Sequence, residues 1–279
     1  MDLQQAQRKL IADLTPLYDV REAGLIADWV LERLTGLTRL DRRVHASDPL
    51  PADAIRQYDS WRDELLAHRP VQYVLHESWF AGLKFYVDEN VLIPRPETEE
   101  LVEWITQTRP SGPLLDVGTG SGCIAITLAK KLPAIPIHAC DVSPTALGIA
   151  KRNAANLNTP LSFHHLDFLD PSAWAALPSV QCLVSNPPYI PFSQRTTMAP
   201  HVVDAEPSLA LFVPDTDPLV FYRALAGFAG KKLLPGGAIF VEIHEDLATD
   251  VLDLFRTAGF QQLTLRKDMQ GRDRMISAS

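Results

Sequence analysis

The chain is poor in cysteine and lacks every arrangement that would make cysteine structural. Cys123, Cys140 and Cys182 are an odd number, far apart, with no C-x-x-C pair, which excludes a disulfide framework and a zinc ribbon and suits a reducing cytoplasm. Long apolar runs are missing too. Nothing approaches the roughly 18 consecutive apolar residues that span a bilayer, and Met1–Leu10 is polar, without the apolar core of a signal peptide. Neither membrane insertion nor secretion is expected. A third absence is any excess of positive charge: 26 Lys and Arg stand against 34 Asp and Glu, a formal charge of -8, so no global field draws the protein to a phosphate backbone. The basic residues fall in scattered pairs such as Lys130-Lys131 and Arg266-Lys267, the habit of solvated faces. There is no internal repeat and no low-complexity tract.

What remains is the composition of an ordinary globular protein, long enough at 279 residues for one or two domains. Over residues 1–70 apolar side chains recur at helical spacing: Leu3, Leu10, Ile11, Leu14; then Leu25, Ile26, Trp29, Val30, Leu34; then Ile55, Tyr58, Trp61, Leu65. This predicts a small helical domain, punctuated at Gly36 and at the prolines of 47–51. Residues 71–93 change character, since Tyr73, Val74, Trp79, Phe80, Phe85, Tyr86, Val87, Val91 and Ile93 favour strand, and a hairpin-like connector is expected there. From 94 to 279 short apolar runs alternate with helical patterns, beginning with a strand at 113–117 and a helix at 121–131. That alternation predicts an α/β fold with a doubly wound, Rossmann-like parallel sheet, in which ligands bind at the carboxyl ends of the strands.

The first such strand runs straight into Gly118-Thr119-Gly120-Ser121-Gly122. Glycines that open a helix let backbone approach a ligand at the helix N-terminus. The dinucleotide pattern G-x-G-x-x-G would need glycine at 123, where Cys123 stands, so a nicotinamide enzyme is the weaker reading. Asp141 ends the second strand, where a carboxylate can accept both hydroxyl hydrogens of an adenosine ribose. The alternative, a tight turn and a helix-capping acid, has to place both features at consecutive strand ends by chance. Asp167-Phe168 follows the third strand, where the acid can reach an adenine amino group and the ring can cover the base; a cap and a core Phe explain the pair almost as well.

Asn186-Pro187-Pro188-Tyr189 closes the fourth strand on the same edge. An amide or aromatic amine is a poor nucleophile, because its lone pair is delocalised, so a catalyst must hold both hydrogens and aim the nitrogen. The Asn186 side-chain oxygen and the Pro187 carbonyl can accept one hydrogen each, the prolines stiffen the backbone that carries them, and Tyr189 offers a face to a planar group. Nucleophile and metal are both dispensable if the transferred group arrives activated. Two histidine motifs carry less. His164-His165 lies in a strand, where neighbours point to opposite faces, and His244-Glu245 has Ala248 where a zinc helix motif needs histidine.

Together with Leu92-Ile93-Pro94-Arg95-Pro96-Glu97-Thr98-Glu99, these motifs resemble the HemK-type family of glutamine methyltransferases, in its release-factor branch. The resemblance runs from about residue 69 to the end, through Glu206-Pro207, Leu234-Pro235-Gly236-Gly237 and Gly271-Arg272-Asp273-Arg274. It implies a class I methyltransferase domain preceded by a small substrate-binding helical domain. It further implies S-adenosylmethionine as cofactor, bound by Gly118, Thr119, Gly120, Ser121, Gly122, Asp141, Phe168 and Asn186, to which the position of Asp167 after the third strand adds that acid. The substrate would be the Gly-Gly-Gln loop of a peptide chain release factor, held by Asn186, Pro187, Pro188 and Tyr189. His76, the Val213–Pro218 loop and Glu242-Ile243-His244 depart from the family pattern, and the loop from 191 to 217 is expected to shape substrate access. Two competing readings stay open, an adenine amino-methyltransferase acting on nucleic acid and a cofactor-binding scaffold without catalysis. The charge balance argues against the first and the intact Asn186–Tyr189 motif against the second.

Overall fold

A computed structural model describes residues 1–197 and 205–279, and these fall into two compact units, described separately. The first, residues 1–77, is helical: α1 (Leu3–Leu14), α2 (Val20–Thr35), α3 (Arg39–Val44), α4 (Ala52–Leu66) and α5 (Val71–Leu75). α1 starts on a capping box, in which Asp2 accepts the Gln5 N–H and the Gln5 side chain accepts the Asp2 N–H. α2 starts on Asp19 and stops at Gly36, whose left-handed conformation (φ 69°) ends the helix. The buried stripe Leu3, Ala6, Leu10 and Leu14 meets Ala23, Ala27, Val30 and Leu31 of α2 and Tyr58 and Leu65 of α4, the three-and-four spacing of an apolar helix face. Tyr58, fully buried, donates its hydroxyl to the Ala6 carbonyl at 2.9 Å.

Residues 71–75 correct the strand reading of Tyr73 and Val74: they form helix, not strand. Pro70 pre-sets the backbone one residue ahead, and four of the five side chains are buried, so tertiary packing overrides β propensity. The helix ends on His76 in the left-handed region (φ 51°). This is a conformation glycine adopts without cost, which gives the departure at this position its physical meaning.

In the second unit a short antiparallel hairpin, β1 (Ser78–Phe80) and β2 (Leu83–Phe85), precedes α6 (Pro96–Thr108). Then come β3 (Leu114–Val117), α7 (Cys123–Lys131), β4 (Ile137–Asp141), α8 (Pro144–Asn156), β5 (Ser162–His165), β6 (Val180–Ser185), the two-residue strands β7 (Ile190–Pro191) and β8 (Phe212–Val213), β9 (Leu233–Glu242), β10 (Leu263–Lys267) and β11 (Asp273–Ala278). Between β5 and β6 there is only a 3-10 turn, Ala173–Ala176. The seven-stranded sheet has the order β10-β11-β9-β6-β3-β4-β5. β5, β4, β3, β6 and β9 pair in parallel, and β11 is antiparallel to both of its neighbours.

Alternation along the central strands sends side chains to two cores. Leu115, Leu183 and Ile239 pack with Tyr222, Leu225 and Phe228 of the helix Val220–Lys232 and with Val251 and Phe255 of the helix Ala248–Thr257. Leu114, Cys182, Val184 and Phe240 pack on the other face with Leu101, Trp104 and Ile105 of α6 and Ile124 and Leu128 of α7. With both faces covered, the strands read as nearly continuous apolar runs. The chain runs outward from β3 through β4 to β5 and then returns to β6 on the far side of β3. That reversal leaves a crevice beyond the carboxyl ends of β3, β4 and β6, where doubly wound sheets hold ligands. No helix among the described residues is long and apolar enough to cross a membrane.

Candidate active site

A cavity of about 340 Å³ occupies this crevice. One wall is the loop after β3. Gly118 and Gly120 line the cavity, and the loop is tied to the next strand by hydrogen bonds from the Gly118 and Thr119 N–H groups to the Cys140 carbonyl (2.9 and 3.1 Å). Gly122 turns the chain into α7 at φ 83°. A Cβ there would lie 2.9 Å from Ile126 Cδ1 and 3.2 Å from Ala150 Cβ, so this position needs glycine for both conformation and space. Thr119, Ser121 and Gly122 do not line the cavity as expected for cofactor contacts. They are buried within the loop, and Thr119 donates its hydroxyl to Asp116 at 2.7 Å. Fully buried, Asp116 has its carboxyl pushed up to about 7 by loss of solvent.

Asp141 stands at the end of β4, on the cavity. Its Oδ2 accepts the Gly120 N–H at 2.9 Å and its Oδ1 the Ser143 N–H at 2.9 Å. The cap of α8 is Ser143 rather than Asp141, since Ser143 accepts the Ala146 N–H. Each Asp141 oxygen has a second lone pair, so the carboxyl fixes the glycine loop and still has acceptors for a diol. Burial raises its pKa, against the lowering effect of the backbone N–H groups.

Asp167 and Phe168 also line the cavity. Asp167 is exposed and accepts the Leu169 N–H at 2.9 Å. Phe168 is 4% exposed and packs on Trp174 and Phe228, with centroids 5.8 and 5.3 Å away. The ring is a core residue that meets the cavity along its border. Val91, Leu92, Pro207 and Leu209 supply further apolar wall.

Ser185, Asn186, Pro187 and Pro188 also line the cavity. The Ser185 hydroxyl donates to the Val117 carbonyl at 2.7 Å, tying the end of β6 to β3. Asn186 donates from Nδ2 to Thr98 Oγ1 at 3.1 Å, and Thr98 donates to Glu242 Oε2 at 2.6 Å. Tyr189, expected to offer its ring to a planar group, is not among the residues lining this cavity. Its hydroxyl donates to Glu242 Oε1 at 3.2 Å and its ring packs edge-on to His244, because a buried phenol takes the acceptor within reach. Burial and the neighbouring Glu242 raise the Tyr189 pKa, and burial raises that of Glu242. Arg274 sits nearby, held by Asp268 at 3.1 Å and donating to the Ile243 carbonyl at 3.3 Å.

Thr98, Glu242 and Asp116 were not singled out as site residues from the sequence. The signal for Glu242 is an acid closing an apolar central strand; Thr98 lies between Glu97 and Glu99 in the first turn of α6, where acids that suit a helix N-terminus draw the attention. Arg95 pairs with the buried Glu206 and so anchors the stretch that brings Pro207 to the cavity. Of the loop 191–217, residues 198–204 lie outside the described residues. The described remainder includes a 3-10 turn, Phe192–Thr197, and the parallel pairing of β7 with β8.

A glycine loop, an acid on the next strand and an Asn-Pro-Pro turn around one crevice define a methyltransferase-type site, and comparison with known proteins agrees. Residues 96–206 match the Methyltransferase small domain family and residues 5–75 the PrmC N-terminal domain. A release factor glutamine methyltransferase from Flavobacterium psychrophilum is 36% identical, over 100% of this chain and 99% of that protein. The protein of the same name from Bacteroides thetaiotaomicron is 36% identical over 98% and 97%, and that from Cereibacter sphaeroides 40% identical over 84% and 83%. The chain belongs to the release factor glutamine methyltransferase family. Among solved structures, the hMettl16 catalytic domain in complex with MAT2A 3'UTR hairpin 6 is similar in fold, with a TM-score of 0.56, 18% identity and coverage of 76% and 80%.

Proposed function

We propose that this protein transfers a methyl group from S-adenosylmethionine to the side-chain amide nitrogen of the glutamine in the Gly-Gly-Gln motif of peptide chain release factors. The observation that carries the proposal is that Asn186, Pro187 and Pro188 share one cavity with Gly118, Gly120 and Asp141. The residues fit the cofactor. Asp141 has acceptor capacity for the ribose hydroxyls, Gly118 and Gly120 carry no side chain into the crevice, and Val142, Leu166 and Phe168 give apolar walls for a base. When bound, the sulfonium supplies a methyl group that is already activated.

The protein's own part is to hold the acceptor. Asn186 Oδ1 takes one hydrogen of the glutamine NH₂ and the Pro187 carbonyl takes the other, which fixes the plane of the amide and turns its nitrogen toward the methyl donor. The apolar walls keep water out, where fixed dipoles act more strongly than in solvent. The same acceptor pair suits an adenine amine, so the choice of substrate rests on other features: the acidic charge balance and near full-length similarity to proteins named release factor glutamine methyltransferase. The helical unit 1–77 is read as the module that docks the folded factor, in the cytoplasm.

The test offers three acceptors with radiolabelled cofactor: intact release factor, its Gln→Ala version, and an adenine-containing oligonucleotide. Label is expected on the intact factor alone, as one methyl group on the motif glutamine by mass spectrometry. Label on the oligonucleotide but not on the factor overturns the proposal.

A further inference from the structure

A carboxamide has two ends of similar size and opposite hydrogen-bonding character, and only the oxygen end of Asn186 can accept a hydrogen from a substrate amide. The two ends are told apart by the groups behind Asn186. A hydroxyl has one hydrogen to give. Thr98 commits its hydrogen to Glu242 Oε2 at 2.6 Å, so toward Asn186 it can act only as acceptor, and Asn186 meets it with Nδ2 at 3.1 Å. The second oxygen of Glu242 receives the Tyr189 hydroxyl at 3.2 Å. With a donor on each oxygen, Glu242 is an acceptor on both sides. Thr98 and Glu242 are each 2% exposed, which leaves no bulk water to substitute for either link.

We propose that Thr98 and Glu242 are positioning residues that set the direction of the Asn186 amide, nitrogen inward to Thr98 and oxygen toward the substrate. This rests on the reading of Asn186 as acceptor for the substrate amide and adds where its polarity comes from. The order of donation, Asn186 to Thr98 to Glu242, runs away from the cavity, so the site presents a lone pair to whatever enters. It selects groups that bring hydrogens, an amide NH₂, and rejects a carboxylate of the same shape, which would set oxygen against oxygen. Such a mismatch at a buried polar site is among the costlier ones for binding. Were the carboxylate replaced by a group able to donate, the order could reverse, with Thr98 donating to Asn186 and the amide turned end for end.

The test uses the full chain with release factor and cofactor, and compares Thr98→Val, Thr98→Ser and Glu242→Gln. Val removes the acceptor for Nδ2, Ser restores it, and Gln, at nearly unchanged volume, keeps one acceptor and adds a donor, so that Thr98 and Tyr189 can no longer both donate to it. Expected for Thr98→Val and Glu242→Gln is a fall in kcat of roughly 100-fold, the scale of a misplaced reacting group, with KM and cofactor affinity little changed; Thr98→Ser recovers most of the loss. A second readout needs no substrate. In ¹⁵N-labelled protein the Asn186 side-chain NH₂ should exchange slowly with solvent in the wild type and in Thr98→Ser, and rapidly in Thr98→Val. Wild-type kcat in Thr98→Val, or an Asn186 NH₂ whose exchange ignores that substitution, overturns the inference. If the exchange pattern holds while the wild type leaves the release factor unmethylated, the orientation stands and it is the substrate reading that fails.

Discussion

Asn153 holds both backbone polar groups of Tyr86: its Oδ1 accepts the Tyr86 N–H at 2.8 Å and its Nδ2 donates to the Tyr86 carbonyl at 2.9 Å. The same Nδ2 donates to the Ser121 carbonyl at 2.9 Å. One side chain of α8, 1% exposed, therefore joins the segment after β2 to the glycine loop. Arg152 lies over the Tyr86 ring, 3.5 Å from its centroid, and covers the joint from outside.

Replacing Asn153 with Ala removes three hydrogen bonds, a buried one to the Ser121 carbonyl and two part-buried ones to Tyr86. We expect a loss of about 3 kcal/mol in stability, from three bonds of about 1 kcal/mol net each, together with weaker cofactor binding as the loop loosens. Urea unfolding and calorimetry measure the two effects. Unchanged stability would show that water replaces the Asn153 amide at no cost.

Asp141→Ala should weaken S-adenosylmethionine binding by more than a ribose contact alone accounts for. Two hydrogen bonds to backbone, from Gly120 and Ser143, vanish with the carboxylate, so the loop loses its anchor as the ribose loses its acceptor. Charge-assisted hydrogen bonds are worth about 1.5 to 3 kcal/mol each. Asp141→Asn retains one acceptor oxygen and should fall between wild type and Ala in a calorimetric titration. Equal affinities across the three proteins would remove Asp141 from the cofactor site.

Asn186→Ala should leave the fold and most of the cofactor affinity in place and slow methyl transfer at least ~100-fold, the usual scale for deleting one preorganised polar group. Single-turnover kinetics with pre-bound cofactor isolates the chemical step. A variant that keeps most of its rate would put the methyl acceptor elsewhere.

His138 and His164, on β4 and β5, face each other with Nδ1 and Nε2 3.1 Å apart. Burial lowers the pKa of both, and His164 lowers that of His138 further. In the unfolded chain both return to about 6.5, so from that value down to the depressed folded ones the unfolded state binds more protons. Stability is present above about 6.5 and is lost as pH falls through the folded values. Melting temperature should therefore drop as pH falls below about 6.5, and His164→Gln should flatten the slope. An identical slope in that variant would assign the acid sensitivity to other groups.

Much of this architecture is legible in the sequence because it follows from periodicity and strand ends. The run Leu114–Val117 into Gly118, Asp141 closing β4 and Asn186 after β6 each announce themselves locally, and the fold aligns them along one edge. What escapes is whatever depends on partners distant in the chain. Thr98 and Glu242 are separated by 144 residues and become a pair only when α6 packs on β9. Tyr73 and Val74 carry strand propensity and lie in a helix, since burial outweighs it. Tyr189 was readable as belonging to the site but not as facing Glu242 rather than the cavity, because orientation is decided by which acceptor a buried hydroxyl finds.

The register of β9 against β6 has a consequence for how this enzyme can change length. Val184 pairs with Phe240 and Ser185 with Val241, so the ladder itself sets Glu242 level with Asn186 one residue further on. A single residue inserted between Ala238 and Glu242 would turn the carboxylate to the opposite face of the sheet, since side chains alternate with a period of two. Residues added around Asp215–Asp217, in the exposed stretch before the helix Val220–Lys232, leave that ladder untouched. The site thus tolerates added length in the crossover and not in the last five residues of one strand.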